Sequence, residues 1–170
     1  MTATTTTTTN NTTTPNIYQT LNALGISLPP VSIPAAAYVP YVQSGNLIFL
    51  SGHIAKTGGH PWVGQLGKTI SLDDGKAAAR AIAIDLLGTL HAALVATGKD
   101  LNHVSRIVKL MSLVNSTSDF TDQHLVTNGA SQLIGEVFGP VIGAHARSAF
   151  GVAQIPMGAC VEIEMIAEVR

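Results

Sequence analysis

Residues 71–98 carry one unbroken helical period, and this segment does most to decide what the chain can become. Ala79, Ile82, Ala83, Leu86, Leu90, Ala93 and Leu94 fall on a single stripe at helical spacing. Ser71 is the candidate N-cap, Asp73 and Asp74 put negative charge where the helix dipole favours it, and Gly98 marks the stop. The small residues in the stripe let this helix lie close against a sheet. Such a stripe has to be buried, so the chain must also supply a sheet with an apolar face.

The flanking segments supply that sheet. Residues 38–43 and 47–52 are rich in β-branched and aromatic side chains, and Ser44-Gly45-Asn46 between them reads as a hairpin turn. Residues 104–115, with Ile107, Val108, Leu110, Leu113 and Val114, read as a long strand interrupted by Lys109 and Ser112. Ser118 or Asp119 is then expected to cap a second helix ending near Phe138-Gly139, with Val126, Ala130, Leu133, Ile134 and Val137 buried. Two last strands, 147–152 and 160–169, are expected to pair with each other across the connection at 155–159. In the final one Val161, Ile163 and Met165 alternate with Glu162, Glu164, Ile166 and Glu168. The order is β-β-α-β-α-β-β, an α+β fold with both helices on one face of the sheet. The glycine-rich stretch 58–67 reads as loop with room for a short strand. Upstream, residues 16–24 suit a short helix with Ile17, Leu21 and Leu24 on one side, and Pro29, Pro30 and Pro34 impose an extended linker. The chain thus divides into a tail (1–15), a helix with its linker (16–37) and a folded domain (38–170).

Bulk properties narrow the function classes. A chain of 170 residues is long enough for one domain with a real core. Only 11% of residues are charged and the net charge is −1, so there is no footprint for duplex nucleic acid, which is not an expected partner. Low charge with so many aliphatic residues points to a homo-oligomer that covers the second face of the sheet. The single cysteine, Cys160, cannot form an internal disulfide, and without a signal-peptide pattern a reducing cytoplasm is expected. No apolar run is expected to reach membrane-spanning length, so no membrane partner is expected either. The tail is almost all Thr and Asn and is expected to stay disordered until something docks it.

Against this background two charges stand out. Arg147 and Glu162 sit on apolar segments, where an unpaired ion is costly. They are the first candidates for a site that grips a small anion and performs acid/base chemistry on it.

Four stretches taken together, Tyr38, Ser44-Gly45-Asn46-Leu47-Ile48-Phe49-Leu50-Ser51-Gly52, Ala146-Arg147-Ser148 and Pro156…Val161-Glu162-Ile163-Glu164, resemble the RidA (YjgF/YER057c/UK114) family, also called endoribonuclease L-PSP proteins. Val39-Pro40, Val114-Asn115-Ser116, Phe120-Thr121-Asp122-Gln123 and Asn128-Gly129-Ala130-Ser131 resemble a longer subgroup of it. The resemblance implies a chorismate-mutase-like fold with a mixed sheet, assembled as a homotrimer with ligand clefts between subunits. For deaminating members it implies hydrolysis of 2-imino or enamine acids to 2-keto acids and ammonia, with neither metal nor organic cofactor.

Arg147 would pair with the substrate carboxylate in a two-pronged geometry; a structural ion pair is the alternative. Glu162 would orient or deprotonate the attacking water, or else be one more solvated strand charge beside Glu164 and Glu168. Tyr38 matches a cleft tyrosine, though strand tyrosines commonly anchor cores and interfaces. Ser51 and Gly52, read as the end of the second strand, could bind a carboxylate or developing charge on nitrogen, or merely be small. Asn128 matches a cleft asparagine if one helical turn is inserted before it; otherwise it is an exposed polar residue. Two departures alter the pocket wall: Ala149 stands where relatives often have Cys, and His145 where they usually have Pro. Cys160 reads as a buried small hydrophobe, His53 as a loop residue, and the six histidines show no metal spacing. The leading expectation is an enamine/imine deaminase. Its alternative is a non-catalytic trimer that binds a small carboxylate, and a third, less favoured, is an endoribonuclease or translation inhibitor.

Overall fold

In the computed structural model, which describes residues 16–31 and 37–170, helix α2 (Leu72–Val95) forms where the helical period demands it. The tail and linker residues 32–36 lie outside the described residues, and with them the expectation of a disordered tail. Ser71 caps α2 by accepting from the Asp74 amide at 3.1 Å, and the whole predicted stripe is buried. By length and hydropathy α2 would qualify as a membrane span, contrary to the expectation that no run does. Here it is the core helix, packed on the sheet beside α3 (Gln123–Ile142).

The main sheet has the spatial order β1 (Tyr41–Ser44), β2 (Leu47–Ile54), β7 (Val161–Val169), β5 (Val104–Asn115), β6 (Ala146–Val152). The last two strands do not pair with each other. β5 lies between them, parallel to β6 and antiparallel to β7. The reason is connectivity: α3 makes a crossover that returns the chain parallel to β5, leaving the slot between β5 and β2 for β7. A second small hairpin, β3 (Lys56–Thr57) with β4 (His60–Pro61), begins just before the glycine-rich stretch and runs into it.

Both helices cover one face, where Val161, Ile163, Met165, Ala167 and Val169 of β7 are buried with Leu110 and Val114 of β5. The helices approach so closely that a Cβ on Gly129 would collide with the Lys76 carbonyl, and Arg80 and Glu136 pair across them at 2.9 Å. The cap of α3 is Asp122, not Ser118 or Asp119, and it makes no side-chain capping bond. At Gly139 (φ 76°, ψ 179°) the helical path breaks, and Pro140 begins a last short turn. Helix α1 (Ile17–Ala23) docks at the far end of α2: Tyr18 Oη accepts from the Leu101 amide at 3.1 Å and contacts His91 Nδ1 at 2.9 Å. The other face of the sheet is open and leaves Phe49 and Phe150 exposed among Lys109, Glu162 and Glu164.

Candidate functional site

Arg147 belongs to the helix side of edge strand β6. Its register partner is Leu110, which also faces Met165 in the buried layer. The guanidinium reaches α3, where Nη1 donates to Asn128 Oδ1 at 2.8 Å and Ser131 Oγ at 3.1 Å, and Nη2 donates to the His124 carbonyl at 3.0 Å. His124, Asn128 and Ser131 are spaced i, i+4, i+7, so one face of α3 supplies all three acceptors. None is charged, and no carboxylate pairs with Arg147 among the described residues. Its positive charge therefore stays uncompensated beside a cleft of about 490 Å³ lined by Asn128, Ser131, Gly139, Pro140, His145 and Arg147. Three fixed hydrogen bonds pre-set the planar fork for a carboxylate.

His145 closes one side of this cleft. A carbonyl can only accept, so the 2.6 Å contact with Gly143 O places a hydrogen on His145 Nδ1. Nε2 then faces Ser131 Oγ at 2.9 Å. Ser131 and His145 were not among the expected site residues. The signals available were the spacing of Asn128 and Ser131 on one helix face, and an imidazole where relatives carry Pro.

Glu162 is elsewhere. Its register partners are Leu113 and Ile54, and its carboxyl rises toward the open face of the sheet. Ser51 and Gly52 do not end β2; they form a bulge opposite β7, and the strand continues to Ile54. The bulge makes room for Glu162, since a Cβ on Gly52 would overlap its carboxylate. Burial first, and the charge of Glu164 second, push the Glu162 carboxyl above its usual range. The Ser51 hydroxyl donates to the Val39 carbonyl at 2.7 Å, which ties the segment carrying the exposed Tyr38 to this bulge. His53 is no loop residue. It lies in β2, with Nδ1 donating to Ser51 O at 2.8 Å and Nε2 facing Thr89 Oγ1 at 2.8 Å, and burial lowers its pKa.

The expected residues thus fall into two groups. Arg147 and Asn128 share the cleft at the α3–β6 edge. Glu162, Ser51, Gly52 and Tyr38 gather around the β2 bulge. Within one chain Arg147 and Glu162 lie on strands separated by β5 and on opposite faces of the sheet. Another hollow, about 510 Å³ at the other end of β6, is lined by Ser116, Phe120, Gln123, Gly151 and other residues without a titratable group. Cys160 is fully buried and its thiol is pushed up to about 11 by burial, so it is no nucleophile at neutral pH.

The sequence profile of the family called endoribonuclease L-PSP matches residues 29–169. The chain belongs to that family. Within and around the L-PSP family, the Trypanosoma cruzi protein TCP17 is 47% identical over 151 residues, covering 88% of this chain and 92% of its own. The Agrobacterium tumefaciens protein Atu1372, of unknown function, is 39% identical with a TM-score of 0.81, covering 91% of this chain and 92% of its own. An endoribonuclease candidate from Shewanella oneidensis MR-1 is 26% identical with a TM-score of 0.85, covering 91% of this chain and all of its own. Escherichia coli TdcF, in a structure with bound serine, is also 26% identical; it covers 83% of this chain and 92% of its own, with a TM-score of 0.50. At equal identity, then, the L-PSP fold of this chain follows the Shewanella protein far more closely than TdcF.

Proposed function

We propose that this protein binds a small 2-imino or 2-keto acid at Arg147 and hydrolyses the imine, or its enamine tautomer, to a 2-keto acid and ammonia. One observation carries the reading: a guanidinium held by three neutral acceptors, with no counter-charge among the described residues, opens onto a cleft of metabolite size. A carboxylate supplies the missing charge and meets a fork that is already oriented. TdcF, with its bound serine, is a relative that holds a small carboxylate. Imines hydrolyse readily, so fixing the substrate beside a proton acceptor is chemistry enough.

Assembly completes the proposal. The open sheet face, with Phe49 and Phe150 exposed, suits burial against further copies, and a homotrimer is the arrangement proposed. Within one chain Glu162 faces away from the Arg147 cleft, so any part it takes in the chemistry is that of Glu162 of the partner subunit. The single buried cysteine suits a reducing cytoplasm.

The test generates small imines in situ with an amino acid oxidase and follows keto acid release above the spontaneous rate. Wild type is expected to accelerate release and Arg147→Ala to abolish the acceleration. A wild type that binds keto acids yet leaves the rate unchanged across small and bulky imines overturns catalysis in favour of a carboxylate-binding role.

A further inference from the structure

We infer that Ser131 and His145 form the proton-transfer pair of the Arg147 cleft. The inference rests on the reading of that cleft as a 2-imino acid site. The hydrogen bonds run one way. Arg147 Nη1 donates to Ser131 Oγ, so the Ser131 hydrogen is free to point at His145 Nε2. His145 Nδ1–H is committed to Gly143 O, which leaves Nε2 as the acceptor at the end of the chain. This is the arrangement of a hydroxyl, a base and a group that orients the base. All of it lines the hollow into which Arg147 opens. Among the described residues that line it, Arg147 is the one charged group beside the imidazole. Glu136, farther along α3, is paired with Arg80.

With the substrate carboxylate on Arg147, water approaches C2 of the imine next to Ser131. The water gives a proton to Ser131 Oγ as Ser131 passes its own to His145 Nε2. The resulting hydroxide forms the C–O bond, and the C=N π pair moves to nitrogen. The proton then returns through Ser131 to that nitrogen, giving the carbinolamine; its hydroxyl proton passes by the same relay to the amine as C=O forms, and the C–N bond breaks to release ammonia. No oxidant or metal enters, and the imidazole ends neutral as it began. In this scheme Ser131 touches water and substrate, and His145 acts through it.

The experiment compares wild type, His145→Gln, His145→Gly and Ser131→Ala in the oxidase-coupled assay across pH, with keto acid affinity measured by calorimetry on the same samples. Expected are roughly 100-fold losses of kcat for His145→Gln and Ser131→Ala, with affinity held within about threefold. The acid limb of the kcat/KM profile should vanish in His145→Gln, and imidazole should restore rate to His145→Gly. A His145→Gln enzyme that keeps both rate and acid limb overturns the relay, as does a rate loss that merely follows affinity. An inactive wild type overturns the deaminase reading itself, a result distinguishable from either.

Discussion

Arg147 and Glu162 are both half-buried charges on strands of one sheet, yet the molecule treats them in opposite ways. Among the described residues each hydrogen-bond partner of Arg147 is a neutral acceptor positioned by α3, and the charge is oriented without being neutralised. Around Glu162 the backbone bulges to make space, but among the described residues no side-chain donor is brought to the carboxyl, and Glu164 adds repulsion. The first arrangement is rigid and prepared for an anion. The second holds a carboxyl that resists ionisation and awaits whatever covers the open face. A cation stripped of counter-ions is a binding device, whereas an acid with a raised pKa is a proton reservoir.

Replacing Arg147 should show the largest separation between the two regions. Arg147→Ala removes a charge-assisted fork, and keto acid affinity should fall on the order of 100-fold. Arg147→Lys keeps the charge, but one ammonium cannot serve Asn128, Ser131, the His124 carbonyl and a ligand together, so recovery should be partial. Glu162→Gln should move affinity less than threefold if the cleft is complete within one chain. Isothermal titration with a keto acid reads all three, and equal losses from Arg147→Ala and Glu162→Gln would merge the two regions into one shared site.

Next in size is Gly129→Ala. The added methyl meets the Lys76 carbonyl on a backbone that cannot swing aside, so a cost of about 2–3 kcal/mol is expected in denaturant unfolding. Because Asn128 and Ser131 flank Gly129 on α3, ligand affinity should also fall. Gly52→Ala, by contrast, collides only with the end of the Glu162 side chain. It should cost about 1 kcal/mol, displace the carboxyl and leave affinity at Arg147 untouched.

Much of this architecture could be read in the residues themselves. The α2 stripe, the limits of β5, and the alternation in β7 all follow from one-dimensional periods, and the structure has them where the periods place them. The partnership of β6 and β7 was not readable, because a strand's period names its faces and not its neighbours. That single error is what made Arg147 and Glu162 look adjacent. The bulge at Ser51-Gly52 was invisible for a related reason: a bulge is set by the strand opposite, here the side of β7 that carries Glu162. Asn128 could be named from its motif. Ser131 and His145 acquire meaning only when α3 folds back over the edge of β6.

The smallest expected effect is also the sharpest test of whether the two regions are coupled. The folded-state pKa of Glu162 is raised, first by burial and then by Glu164, so the native protein holds this proton more tightly than the unfolded chain does. Stability should therefore fall as pH rises from the ordinary glutamate value of 4.5 through the raised folded value, and the deficit should be full above it. Glu162→Gln removes the titration: the variant should unfold at a higher temperature than wild type at neutral pH and at the same temperature below about pH 4. Glu164→Gln should reduce the wild-type slope without abolishing it, because burial is the larger cause. Repeating the series with saturating keto acid then decides the matter. If Arg147 and Glu162 serve separate sites, the ligand raises every curve and leaves the pH slope alone. If Glu162 of the partner subunit enters the cleft, the bound anion opposes its ionisation further and the slope steepens, so a change of slope on ligand addition would place both groups around one molecule.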